Sequence, residues 1–173
     1  HNEKHQVQPN LLNQNFQPLF ANEVWAGDIT YIKTSQGWRY LAVVMDLFSR
    51  RIVGWSMAER MKADLVIQAL QQAHVLRQPQ YGCVFHSDRG SQYTSRAFAK
   101  KARQLKMRLS MSDVGCCYDN AVVERFFGSL KHEGLGHTAT MNENVVKQEI
   151  TQFIHYYNFK RPHTANNGMS PLE

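Results

Sequence analysis

Three strand-like segments separated by short turns occupy the first third of the chain, and this run most constrains the fold. Strands are predicted at residues 24–32, 38–48 and 51–55, with a turn at 33–37 and the second strand ending near Asp46. Consecutive strands joined by tight turns pair antiparallel. We therefore expect an antiparallel meander as one half of a sheet.

After the meander, the pattern changes to helices that alternate with strands. Apolar residues at three- and four-residue steps predict helices over 63–76, 91–105 and 144–159, and short apolar runs predict strands at 81–86 and 107–111. Strands separated by helices pair in parallel through crossover connections. Together the two halves predict an α/β fold, a five-stranded mixed sheet flanked by helices on both faces.

A further amphipathic helix is predicted from Asn120, and it carries an acid beside its apolar face. Asn120 is a candidate N-cap, because its side-chain oxygen can accept a backbone hydrogen bond from the first turn. Glu124 follows one turn later, and Lys131 lies seven residues beyond it on nearly the same face. On residue statistics alone, Glu124 is expected to be a solvated surface residue. The apolar positions are Val122, Val123, Phe126, Phe127 and Leu130.

Two aspartates occupy positions where a carboxylate is unusual. Asp28 interrupts the first predicted strand, where an unpaired carboxylate is unfavourable. Asp88 follows a short apolar strand and precedes a glycine by two residues, so it is expected at a strand end. Between Asp88 and Glu124 there are 35 residues.

This triad, together with four longer blocks, resembles the bacterial insertion-sequence DDE transposases, whose catalytic core is similar to that of retroviral integrase. An aspartate, a second aspartate, a 35-residue gap and a glutamate are the signature of that superfamily. Four blocks in the right order are far more specific than a bare triad. They are Trp25–Tyr31, Phe85–Tyr93, Tyr118–Phe127 and Tyr157–His163, within residues 22–171.

The resemblance implies a ribonuclease-H-like catalytic core at residues 22–173 with metal-dependent chemistry. Residues 1–21, rich in Gln and Asn, are then the linker from an amino-terminal DNA-binding region. Asp28, Asp88 and Glu124 are expected to be the catalytic residues and the metal ligands. Converging carboxylates repel, and oxygen-only ligands favour Mg²⁺ or Mn²⁺ over zinc. Two ions, both bridged by Asp28, would activate the attacking oxygen and stabilise the leaving oxygen.

By the same resemblance, water first cuts a transposon end, and the freed 3′-OH then attacks target DNA. Because two ends must be held together, a dimer or higher oligomer on DNA is expected. Each expected DNA contact also has a structural alternative: Lys131 can interact with its own helix end, and the tail residues can dock the last helix. The expected DNA contacts are Lys131, Arg125, Arg161, Tyr157 and His163.

Other residues near these blocks are given structural roles. His86 is expected to be packed or hydrogen-bonded, with proton transfer as the weaker alternative. Asp46 is expected to form a turn outside the site. Residues 112–118 are predicted to be a loop over the site. In that loop, Asp113 and Cys116 depart from the basic residue and the asparagine that the resemblance implies, and an acid at residue 113 is expected to weaken phosphate attraction.

Composition limits the remaining choices. A formal net charge of +6 over 173 residues favours an anionic partner, with nucleic acid the leading candidate. No apolar run approaches the ~18 residues of a membrane span, and the polar first twenty residues argue against a secretory signal. The three cysteines, Cys83, Cys116 and Cys117, fit neither a disulfide framework nor a zinc site. A cytoplasmic protein with reduced thiols is expected.

Two other functions stay open on the residues alone. The first is a ribonuclease-H-type nuclease that uses the same metals for hydrolysis only, and it differs in whether a 3′-OH can replace water. The second is a non-catalytic DNA-binding module in which the acids pair structurally, and it predicts that Asp88→Asn leaves function intact. The tail at Arg161–His163 and the block at Asp119–Glu124 favour transposition.

Overall fold

The sheet has five strands and is mixed, in a computed structural model that describes residues 5–12, 17–114, 120–163 and 166–172. The spatial order of the strands is β3-β2-β1-β4-β5. Adjacent strands among the first three are antiparallel, whereas β4 runs parallel to both β1 and β5. Both predicted halves of the sheet are therefore confirmed. The strands are β1 (Val24–Thr34), β2 (Gly37–Asp46), β3 (Ile52–Ala58), β4 (Val84–Ser87) and β5 (Arg108–Met111).

Helices cover both faces of the sheet because side chains alternate along each strand. Trp25 packs on one face in an apolar cluster with α1 and α2, and Ala26 packs on the other with α3 and α4. None of the helices in the described part of the chain is long and apolar enough to cross a membrane. The helices are α1 (Ala63–Arg77), α2 (Arg96–Gln104), α3 (Ala121–Ser129) and α4 (Glu143–Phe159).

Element boundaries differ from the sequence predictions where turns interrupt the apolar pattern. Helix α2 begins five residues later than predicted, because Ser95 is its N-cap and the Ser95 hydroxyl accepts a hydrogen bond from the Phe98 N–H at 3.1 Å. Strand β4 begins at Val84 rather than at residue 81, after a turn in which Gly82 has a φ of +90°. Strand β3 extends to Ala58, beyond its predicted end.

One buried amide fastens the end of α4 to the start of β3. The Asn158 side chain accepts from the Ile52 N–H and donates to the Ile52 carbonyl, both at 2.9 Å. A second amide, that of Asn166 in the tail, donates to the Ser49 carbonyl at 2.7 Å. These contacts hold the last helix and the tail against the turn between β2 and β3.

The segment at residues 5–12 lies along the outer edge of β5. The Met111 N–H donates to the Pro9 carbonyl at 3.1 Å, and the Leu11 N–H donates to the Ser110 hydroxyl at 2.8 Å. An edge strand exposes unpaired backbone groups, and this segment covers part of them. This part of the predicted linker is thus docked on the core, while its connection to a DNA-binding region stays a prediction.

Candidate active site

Strand β1 presents Asp28 to the face of the sheet that α3 covers. Ala26 and Ile32 pack in the apolar cluster of that face, and Asp28 lies between them at even spacing. Helix α3 packs on the same cluster through Val123 and Phe126. The alternation of β1 therefore brings its one carboxylate towards the helix that carries the predicted catalytic glutamate.

Asp88 lies directly after β4 and level with Asp28. The parallel register places Ala26 opposite His86, and continuing it by two residues places Asp28 beside Asp88. Neighbouring strands are about 4.8 Å apart. The Asp88 carboxylate accepts a hydrogen bond from the Gly90 N–H at 2.7 Å. A Cβ at Gly90 would lie 2.9 Å from that same carboxylate oxygen, so a side chain there would crowd Asp88.

The three carboxylates form one electrostatic cluster. The pKa of Asp28 is raised from 3.8 to about 7, chiefly by burial, and the charges of Asp88 and Glu124 also raise it. The Ile29 N–H, which donates to the Asp28 carboxylate at 2.8 Å, acts in the opposite direction. The structure thus brings Asp88 and Glu124 close enough for their charges to act on Asp28.

The chemistry of this donor set suits a hard divalent cation. It consists of carboxylate oxygens alone, and a cation would offset both the burial that chiefly raises the pKa of Asp28 and the repulsion from Asp88 and Glu124. Among the residues that the structure describes, no three acidic, imidazole or thiol groups stand close enough to hold an ion together. Asp28 and Asp88 are turned instead towards backbone N–H groups. Shared coordination of an ion therefore requires these carboxylates to turn.

Tyr93 is a neighbour of the site that sequence reasoning missed. Its ring is buried against Phe85 and Phe98, at centroid distances of 5.9 and 5.4 Å. Burial raises the pKa of Tyr93, and the charges of Asp28 and Asp88 raise it further. The phenol therefore stays protonated beside the two aspartates. Its position at the end of the Phe85–Tyr93 block was the signal available in the sequence.

Glu124 lies on the exposed side of α3, which begins where predicted but lacks the expected capping hydrogen bond. Asn120 occupies the N-cap position, but its side chain makes no capping hydrogen bond. The expected capping bond is therefore wrong, because a φ of −111° and a ψ of 12° depart from the extended backbone typical of a capping residue. The Asn120 amide is buried and has no hydrogen-bond partner among the described residues.

Lys131 lies beyond the end of α3, in a π-helical turn at Leu130–Gly134. Its ammonium lies 5.1 Å from the centroid of the Tyr31 ring, a cation–π contact on the surface of β1. The wider π-helical turn changes the face on which a residue lies, so the seven-residue spacing from Glu124 does not fix its direction. A DNA contact by Lys131 stays a prediction.

Two other predicted residues have structural roles. His86 is buried, with its Nδ1 atom 2.8 Å from the Ser110 hydroxyl, which agrees with a packed, hydrogen-bonded histidine. Asp46 is fully buried, accepts from the Phe48 N–H at 3.0 Å and pairs with Arg77 at 3.4 Å. The turn-forming role of Asp46 outside the site is therefore confirmed.

The loop before α3 is described only at its beginning. Arg89 donates to the Ser112 carbonyl at 2.9 Å and lies 3.7 Å from the Asp113 carboxylate. The negative charge of Asp113, which departs from the family pattern, is therefore close to the positive charge of Arg89. Cys116 and the rest of residues 115–119 lie outside the described residues, so the loop over the site stays a prediction.

The other predicted DNA contacts converge on a cleft of about 640 Å³ beside α3. Tyr157 and His163 are largely buried there, with ring centroids 4.4 Å apart, and the His163 Nε2–H donates to the Tyr157 carbonyl at 3.1 Å. Burial lowers the pKa of His163, so a neutral imidazole packs the tail. Arg125 is exposed at the cleft, and Arg161 is partly exposed.

The solved structures that this chain matches define its class as a ribonuclease-H-like integrase core fold. The HTLV-2 integrase catalytic core domain in complex with magnesium matches with a TM-score of 0.68 and 19% identity, over 90% of this chain and 97% of that chain. A chain of the simian T-cell lymphotropic virus intasome matches with a TM-score of 0.75 and 20% identity, over 99% of this chain and 59% of that chain. At these identities the likeness establishes the fold alone.

The amino-acid sequence also matches one family along most of its length. Two integrase core domain models match residues 20–117 and 105–171. Transposase InsF for insertion sequence IS3fB of Escherichia coli (strain K12) is 44% identical over 166 residues, covering 95% of this chain and 58% of the relative. The transposase for insertion sequence element IS904 of Lactococcus lactis subsp. lactis (strain IL1403) is 45% identical over 166 residues, covering 95% and 66%. The chain belongs to the integrase core domain family, and it spans less than two thirds of the length of these two transposases.

Proposed function

We propose that this chain is the catalytic core of a DDE transposase, which cleaves and joins DNA at Asp28, Asp88 and Glu124. The observation that carries the proposal is the raised pKa of Asp28, to which both other acids contribute. Within the described part of the chain, no basic residue forms an ion pair with these carboxylates from a strand, a strand end and a helix, so structural pairing does not explain their convergence. A carboxyl group with a raised pKa beside two further acids is typical of catalytic sites. The relatives named above and the net charge of +6 support DNA as the substrate.

A different structural element holds each of the three acids in place. Asp28 is fixed by the central strand and partly buried, Asp88 is tethered to the Gly90 N–H, and Glu124 is carried by a helix packed on the sheet. The three carboxylates would hold Mg²⁺ or Mn²⁺, as two ions. Bound there, such ions would activate the attacking oxygen and neutralise charge on the leaving oxygen.

One site serves both reaction steps because both replace one P–O bond by another. In cleavage the attacking oxygen comes from water, and in strand transfer it comes from the 3′-OH that cleavage leaves. The partial burial of Asp28 strengthens its electrostatic interactions relative to those in bulk water. Because two DNA ends must be joined to one target, we propose that the protein acts as a dimer or a higher oligomer on DNA.

A branched DNA that mimics the strand-transfer product tests the proposal with little demand on end recognition. With Mg²⁺ or Mn²⁺, the chain is expected to resolve the branch by attack of the DNA 3′-OH, giving a rejoined strand of defined length on a denaturing gel. Shortened strands without the rejoined product would favour the ribonuclease-H-type nuclease. Tight DNA binding without any strand breakage would favour the non-catalytic module and would contradict the proposal.

Mg²⁺ is expected to raise the unfolding temperature of the wild-type chain, and Asp28→Asn is expected to abolish this effect. A ligand that binds only the folded state stabilises it by about 2.7 kcal/mol at a hundredfold excess over Kd. For a domain of this size, each kcal/mol shifts the unfolding temperature by roughly 2–4 °C. The measurement is thermal unfolding across a Mg²⁺ titration at constant ionic strength, with the exposed Glu59→Gln as the matched control. An equal shift in Asp28→Asn would show that the cation binds elsewhere.

A further inference from the structure

A cleft lined by three arginines lies beside α3, outside the carboxylate cluster. It lies between α3, the π-helical turn, the turn between β2 and β3 and the tail after α4, with a volume of about 640 Å³. Among the described residues that line it, the arginines are Arg50, Arg125 and Arg161, and the acid is Glu133. A concave surface with an excess of positive charge concentrates anions.

Arg161 already has an anionic partner in this cleft. Its Nε and Nη2 atoms donate to the two carboxylate oxygens of Glu133 at 3.0 and 2.9 Å. Its guanidinium also lies 5.9 Å from the centroid of the Tyr157 ring. The charge of Arg161 is therefore largely offset, and the other two arginines carry the excess.

Arg50 is a partly buried arginine on the wall of this cleft. Its Nη1 atom is buried and has no hydrogen-bond partner within the described chain. Burial has the largest effect on the pKa of Arg50 and lowers it; the charge of Arg125 lowers it too, whereas Tyr157 and Asp46 act in the opposite direction. Because a guanidinium stays protonated, a buried donor without an acceptor costs stability. Its backbone φ of +68° is also unusual for a residue other than glycine.

We propose that this cleft binds a phosphodiester of DNA between Arg50 and Arg125, away from the phosphodiester that reacts. Guanidinium groups present paired N–H donors that match phosphate oxygens. The Tyr157 hydroxyl, whose pKa burial raises to about 12, adds a neutral donor that senses the charges of Arg50 and Arg161. The phosphate would supply acceptors for the Arg50 guanidinium, whose buried Nη1 atom would have to turn towards the cleft to reach it.

The position of the cleft suits a strand that also enters the active site. Arg125 follows Glu124 directly on α3, so the two side chains point about a quarter turn apart around one helix. A DNA strand at the carboxylate cluster can therefore continue around α3 into the cleft. The choice of DNA as the anion rests on the proposed function, but binding in the cleft does not require the carboxylates to be catalytic.

The test is a DNA-binding titration by fluorescence anisotropy in EDTA, over a range of salt, in a Glu124→Gln background that prevents cleavage. Arg50→Gln and Arg125→Gln are each expected to weaken binding of a labelled duplex about tenfold. Each should also make the negative slope of log K against log salt shallower by about 0.9, the value for one phosphate contact. The matched control is Arg103→Gln, which removes the same charge from an exposed position on α2.

Two further readouts separate a phosphate ligand from a structural residue. Glu133→Gln is expected to tighten binding severalfold, because it removes the acid and frees Arg161 for the phosphate. Without DNA, Arg50→Gln is expected to unfold at the wild-type temperature or higher, since it removes an unpaired buried donor. The proposal is overturned if both cleft variants match Arg103→Gln in affinity and slope, or if Arg50→Gln loses binding only together with a lower unfolding temperature.

These outcomes are independent of the catalytic test. If Arg50→Gln and Arg125→Gln weaken DNA binding as expected but the wild-type chain does not resolve branched DNA, the phosphate site is supported and the proposed catalytic function is contradicted. Resolution of branched DNA with no cleft effect would support the transposase function and overturn the phosphate site.

Discussion

Glu124→Gln is expected to lower the rate of branched-DNA joining by roughly 10²–10³-fold, the usual effect of removing one group that stabilises charge in a transition state. Glu124 is exposed on α3, and glutamine has nearly the same shape, so the packing of the helix is preserved. The change removes one of the two negative charges that help to raise the pKa of Asp28. The measurement is the single-turnover rate of rejoined strand formation in Mg²⁺.

The matched control for this prediction is Glu59→Gln, the same chemical change at a side chain that is 73% exposed. It should join branched DNA at the wild-type rate, and all variants should unfold at similar temperatures. Asp88→Asn should lose joining as Glu124→Gln does, whereas a non-catalytic binding module would keep its function. Joining by Glu124→Gln within threefold of wild type would remove Glu124 from the catalytic set.

The architecture could be predicted because it depends on local periodicity. The meander, the parallel half and the helices on both faces follow from alternation in strands and three- and four-residue steps in helices. Helix α2 shows the limit of this reasoning, since residues 91–95 have a helix-compatible composition but form turns before the Ser95 cap. The helical periodicity is recognised over many residues, whereas the conformation of a turn depends on only a few, so the periodicity does not show where the turn ends and the helix begins.

The triad was identifiable from spacing, but its geometry was not. Asp28 meets Asp88 because Ala26 pairs with His86, and a sequence does not state the register of two strands so far apart. Tyr93 was missed for the same reason, since only the packed structure places its ring beside both aspartates.

The arginine cleft depends even more on tertiary structure. In the sequence, Arg50 is one basic residue among 20 lysines and arginines, in a pair with Arg51 that predicts an ordinary solvated surface. The turn that carries Arg50 is fastened to α4 by Asn158 and to the tail by Asn166. Those two contacts join residues more than a hundred positions apart, which no local pattern encodes.

The largest expected loss of stability comes from Gly54→Ala, at the contact between β3 and α1. A Cβ at this position would lie 2.3 Å from the Ala69 carbonyl oxygen and 2.9 Å from the Ala73 nitrogen. These are backbone atoms of α1, so the helix has to move away from the sheet rather than one side chain rotate. Overpacking that shifts a backbone costs about 3 kcal/mol, and the unfolding temperature should fall by roughly 6–12 °C. The measurement is the denaturation midpoint in urea with the m-value unchanged.

Gly128→Ala is the matched control, because it also adds a methyl group to a glycine but is expected to stabilise the protein rather than destabilise it. No atom lies within 4 Å of the new Cβ among those that the structure describes, and Gly128 is inside α3. Replacing a helical glycine by alanine should stabilise the protein by about 0.5–1 kcal/mol. If Gly54→Ala unfolds at the wild-type midpoint, α1 does not pack directly on β3. If Gly128→Ala is destabilised, the α3 surface at the arginine cleft is more tightly covered than the structure indicates.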